Sequence, residues 1–285
     1  GLGAGLGVGS VSRVRVEAEV IVVVGEMGPV NVLSLMDGDV ALGQLYSGSG
    51  GVLFDHVGVG TLALVDVLVE EGDARFTTTF ADISVEGLLE LIDGDLTLDS
   101  SSEVGGLGDV VVGGKLEILA ATGIGGLDAL QIDVESLEAR SAAGGIYLLD
   151  FGVETTTILA IVAGEGDVEF IKEEGDAMLS NASDGIQAVD GDVGVFVLDG
   201  DLTLLGETKT VGGLALFDVA GDISGSGLVT ANVVEIFADG SVGIPARVEL
   251  DTPSFDVQAD GGSINVRNNH AGDVQSPRLR AGAGD

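Results

Sequence analysis

The chain has no cysteine and no tryptophan, only 4 prolines, and 11 Lys+Arg against 47 Asp+Glu in 285 residues. Each shortage excludes something. Without cysteine there are no disulfides, thiolate metal sites or thiol nucleophiles, although the compartment stays open. With aromatics at 4%, the core has to be built from Val, Leu, Ile and Ala. A formal charge of −36 sets the surface against nucleic-acid phosphates and against anionic membranes. Long hydrophobic runs are scarce as well. The mean hydropathy is +0.46, yet the longest uncharged stretch runs only from Val40 to Phe54 and includes Gln44, Ser47, Ser49 and four glycines. No transmembrane helix is expected from it. The chain opens on Gly1 without the charged start and apolar middle of a signal peptide, and reads as a piece of something longer.

What is abundant is glycine, 48 residues, in a chain that is 45% hydrophobic. The glycines mark corners. Gly-Asp followed by alternating side chains recurs as "GDVAL" at 38, "GDARF" at 72, "GDLTL" at 94, "GDVEF" at 166, "GDVGV" at 191 and "GDLTL" at 200. Gly supplies positive φ at a tight turn, Asp can bond the turn backbone, and the alternation sends every second side chain inward.

A longer self-similarity overlies these corners. A shift of 118 sets residues 116–148 on 234–266 without a gap, and a shift of 116 sets Val8 on Ile124, and Val30 and Val32 on Ile146 and Leu148. The chain therefore reads as units of roughly 117 residues: 1–116, 117–233 and a truncated 234–285. Many short strands with Gly-rich turns fit either a hairpin sandwich or a solenoid. Irregular corner spacing and few Asn-Gly loops favour the solenoid. The expectation is all-β, a right-handed parallel β-helix forming one continuous segment, with coils of about 20 to 24 residues and five or six coils per long unit. Two Leu- and Glu-rich segments, 85–92 and 127–139, suit a helix. The second aligns with a segment holding Pro245 and Pro253, so a short helix at most is expected there.

Candidate chemistry is thin. Paired Asp37/Asp39, Asp93/Asp95 and Asp199/Asp201 supply two carboxylates each where calcium needs six to eight oxygens; weak Ca²⁺ binding by these acidic turns is the only cofactor expectation. Outward carboxylates on neighbouring coils repel by about 1 kcal/mol per pair in bulk water, and each inward Val or Leu returns about 1.5–3 kcal/mol on burial. Lys115, Lys172 and Lys209 are the only lysine bases, Lys115 aligns with Val233, and Arg140 aligns with Gln258. His56 and His270 are the only histidines. His56 aligns with Lys172, which suggests an exposed polar slot. "GLGAGLGVG" at 1–9 lacks the Gly-Lys-Ser/Thr ending of a phosphate loop. No catalytic, cofactor-binding or metal residue is designated.

The succession "ATGIGGLDALQIDVESLEARSAAGGIYLLD" (121–150), with "GDLTL" corners around it, resembles the long repetitive exoproteins and adhesins related to filamentous haemagglutinin. That resemblance implies a right-handed β-helix, secretion across a diderm envelope to the cell surface, and a role in adhesion or extracellular fibres. No amino-terminal secretion domain, carboxy-terminal anchor or capping helix is visible. Exposed strand edges of an uncapped solenoid invite another coil, from the same chain or from a second copy. The function expected is a non-enzymatic structural or adhesive fibre segment that self-associates end to end or laterally. The alternative is a polysaccharide-binding or polysaccharide-degrading β-helix, which should interrupt the repeat with long loops carrying aromatics or clustered charges. Nucleic acid and direct membrane insertion are not expected.

Overall fold

A computed structural model describes residues 2–4, 8–9, 13–126, 128–181 and 184–282. Part of the glycine-rich start (Gly1 and 5–7) and of the closing "AGAGD" (283–285) lies outside them. Among the described residues there are 28 strands and no helix; the segment 85–92 is extended, and so is 130–139 of the segment 127–139, whose first residue lies outside the described residues. Among these residues no helix is long and apolar enough to cross a membrane. The chain divides into two units, Gly1–Glu135 and Ser136–Asp285. Each is a parallel β-solenoid, and together they make about 12 turns.

In the first unit, strands Val52–Glu71 and Ala74–Asp93 each run almost a full coil as extended chain. They pair in parallel from Val52↔Ala74 to Glu71↔Asp93, and the register slips only between Val57/Gly60 and Leu64/Asp66. Those slips are corners that divide the coil into three faces. Inward residues stack coil upon coil: Val32, Phe54, Phe76, Leu98 and Ile118 form one column. All five are fully buried, and the Phe54 and Phe76 rings lie 6.3 Å apart. The second unit stacks Leu148, Phe170, Val195, Phe217, Ile236 and Val257 in the same way. Each such burial contributes about 1.5–3 kcal/mol, which outweighs repulsion among outward carboxylates screened by water.

Coil length varies. The step from one coil to the next is shorter at Val14↔Val32, and longer at Ala160↔Gly185, than at Val30↔Val52 or Val234↔Phe255. In the first unit, five successive steps take Val8 to Leu116, short of the Ile124 on which the long sequence offset places it. In the second, five steps take Ile146 to Phe255, short of Ile264. The sequence offset therefore overshoots a whole number of coils by one face and its corner.

The Gly-Asp corners splice neighbouring coils. Asp73 Oδ1 accepts the Asp95 amide at 3.0 Å, and Asp95 Oδ1 accepts the Lys115 amide at 2.9 Å. A longer run joins Asp176 to Asp201, Asp201 to Asp222, and Asp222 to Ser241, at 2.9, 2.7 and 2.6 Å. The glycine before each Asp is forced by the stacking. Gly94 (φ 143°) and Gly200 (φ 147°) turn where a Cβ would come within 2.4 Å of Gly72 O and 2.1 Å of Gly175 O.

Candidate functional site

The three Asp-Gly-Asp turns divide their labour. The second carboxylates are structural acceptors: Asp39 Oδ1 takes the Thr61 amide at 3.0 Å, and Asp95 and Asp201 serve as above. Asp37 and Asp39 line, with Glu19 and Thr61, an open groove of about 660 Å³. Among the described residues no three His, Asp or Glu converge as a metal-holding group.

The few cations of the first unit lie on one face. Arg15, Arg75 and Lys115 sit on the strand stack that runs through Val14–Val16, Val30–Ser34, Val52, Ala74, Leu96 and Leu116, and Arg13 lies just before it. Arg13 pairs with Asp55, Arg75 Nη2 with Asp99 at 2.6 Å, and Lys115 Nζ with Glu117 at 3.7 Å. Arg75, Thr97, Lys115 and Glu117 border a cleft of about 310 Å³ on this face. Pairs this exposed are worth little in stability. They pattern the face with both signs of charge.

The strongest polar constellations are inside. His56 and Lys172 are 0% and 1% exposed, which corrects the expectation of an exposed slot. Alternation is the reason: Val52, Phe54 and His56 share one side of their strand, as do Val168, Phe170 and Lys172. Each finds its partner on the preceding coil, where His56 stacks on Ser34 and Lys172 on Asp150. His56 Nδ1 lies 3.3 Å from Ser34 Oγ, while Nε2 is buried with no partner among the described atoms. Burial lowers the His56 pKa below its ordinary 6.5, against the pull of Asp37.

Lys172 Nζ donates to Gly152 O at 2.6 Å and lies 3.2 Å from Asp150 Oδ1. Gly152 N–H donates to Asp150 Oδ1 at 3.0 Å, and the Thr156 hydroxyl donates to Oδ2. Both side chains of the pair are essentially inaccessible, at 1% and 0%. Desolvation raises the Asp150 pKa, although Thr156, Lys172 and Gly152 pull it down. The offset of 116 that sets His56 on Lys172 also sets Ser34 on Asp150, so the sequence marks the two pairs as equivalent, while the register brings the members of each pair together.

The remaining candidates are scattered. Lys209 is exposed on its own strand and Lys115 is half-buried on the charged face. Arg140 bonds Glu138 at 3.0 Å and Asp184 at 2.5 Å. His270 Nδ1 lies 3.1 Å from Asp251. No family model, curated protein or solved structure matches this chain.

Proposed function

We propose that this chain is a structural or adhesive segment of an extracellular surface fibre, acting through shape and regular surface rather than through catalysis. The supporting observation is the continuity of the stacked core from coil to coil. Inward columns run unbroken from Val32 to Ile118 and from Leu148 to Val257, and the corner aspartates spend their oxygens on neighbouring coils. A glycan-processing groove calls for long loops that bring charged and aromatic groups together. Stacked parallel coils with patterned faces suit end-to-end or lateral self-association, and the acidic outer faces suit an ionic exterior. Electron microscopy of concentrated purified protein tests the reading: filaments or laterally packed rods are expected. Dispersed particles that cleave a polysaccharide would overturn it.

The alternative, a polysaccharide-binding or polysaccharide-degrading β-helix, draws on one observation. All four Lys and Arg of residues 1–135 are gathered along one face, where they could meet an acidic glycan. Glycan-array binding lost in Arg75→Ala and Lys115→Ala would favour it over the fibre.

A further inference from the structure

The Asp150–Lys172 pair is unlike every other ion pair described in the molecule. The others are at least partly exposed, whereas this amine and carboxyl are sealed among the aliphatic side chains of the second unit. Two full charges there carry a desolvation cost that their mutual attraction has to offset. Transfer of one proton from Nζ to Oδ1, across 3.2 Å, removes both charges. It leaves a neutral amine facing a neutral carboxylic acid.

We propose that Lys172 and Asp150 join through an isopeptide bond that links two adjacent coils. The neutral Nζ lone pair attacks Asp150 Cγ. Negative charge growing on the carboxyl oxygens meets two fixed donors, Gly152 N–H on Oδ1 and the Thr156 hydroxyl on Oδ2, in the manner of an oxyanion hole. Gly152 O accepts an Nζ proton at 2.6 Å and holds the amine in place. The Cγ–O bond then breaks, and the oxygen leaves as water with a second proton from Nζ. An ammonium and a carboxylate thus become one amide N–H and one water. No oxidant, reductant or cofactor takes part. Register makes the approach intramolecular and pre-oriented, because Asp150 and Lys172 are direct partners on neighbouring strands, and such pre-orientation substitutes for high reactant concentration. The raised Asp150 pKa acts in the same direction, since it favours the protonated acid.

The test is mass spectrometry of the intact purified chain followed by cleavage after Glu. Cleavage after Glu138, Glu154, Glu169 and Glu173 releases Asp150 on fragment 139–154 and Lys172 on fragment 170–173. The expected result is a chain lighter than its sequence by one water, with these two fragments joined. Lys172→Arg should restore the full mass and separate fragments even if that variant folds poorly, and Thr156→Val should leave a larger unlinked fraction. Full mass and separate fragments in the wild-type chain overturn the proposal. A one-water deficit with the fragments still separate overturns it too, because it marks a succinimide at an Asp-Gly step instead.

Discussion

The two units answer one problem in different ways. Each carries a polar side chain where alternation calls for an aliphatic one. In residues 1–135 the column Ser34, His56, Thr78, Ser100 is neutral and small. It is held by its own members and one backbone carbonyl: Thr78 Oγ1 lies 3.2 Å from Ser100 Oγ and donates to Ala81 O at 2.6 Å, and Ser100 Oγ donates to the same carbonyl at 2.9 Å. In residues 136–285 the matching place holds opposite charges, with backbone groups and a threonine filling their remaining bonds. The first solution leaves one nitrogen unpaired, and the second leaves none of its polar atoms so. Polar residues inside a stack are thus tolerated when the neighbouring coil supplies the partner.

The largest break in that comparison comes from taking one charge away. Relative to the chain with the pair unlinked, Lys172→Met strands the Asp150 carboxylate and should cost about 3–5 kcal/mol, read by urea unfolding. Asp150→Val combined with Lys172→Met should recover most of that loss. Ser34→Ala, the matching change in the first unit, should cost only about 1 kcal/mol.

Acidification should separate the units by sign. His56 has a folded pKa lowered from 6.5 by burial, so its contribution is complete above 6.5 and is lost as pH falls toward the lowered value. Asp150, while it carries a free carboxyl, has a folded pKa raised from 3.8 by desolvation. Its contribution is fully present below 3.8 and is lost as pH rises through the raised value. Hydrogen exchange followed from pH 7 downward should therefore show protection near Ser34 and His56 falling first. His56→Phe should flatten that response, and an unchanged profile would remove His56 as its source.

The smallest effect sharpens the role of the corners. Asp201→Ala interrupts a run in which Asp201 both donates and accepts, and should cost about 1 kcal/mol. Asp199→Ala, at the other carboxylate of the same turn, should change unfolding by less. Added NaCl should raise the stability of the wild-type chain and narrow any gain from removing a carboxylate, because salt screens exposed like charges.

Much of the fold is legible in the residues. Gly94-Asp95 and Gly200-Asp201 announce corners, and Val52, Phe54 and their alternating successors announce the inward side. What local pattern leaves open is which residue lies one coil away. The step is not constant, as Val14↔Val32 and Ala160↔Gly185 show, so Asp150 under Lys172 and Ser34 under His56 become visible only once the register is known. The long offset of 116 to 118 matches one face with the next as well as coil with coil, because every face repeats the same alternation after the same kind of corner. Polarity misled at His56 and Lys172, where the strand period carried the better information.

The uneven coil at Leu179–Gly185 has a consequence for register. Only Leu159 separates Ile158 from Ala160, whereas their partners Leu179 and Gly185 stand at the two ends of a longer stretch. The surplus is taken up between those two positions. On either side the pairing holds, Thr156–Ile158 with Ala177–Leu179 and Ile161–Ala163 with Ile186–Ala188. Coil length thus changes between Leu179 and Gly185 while the register on both sides holds, whereas a single extra residue within Val193–Val197 would turn the following side chains inside out.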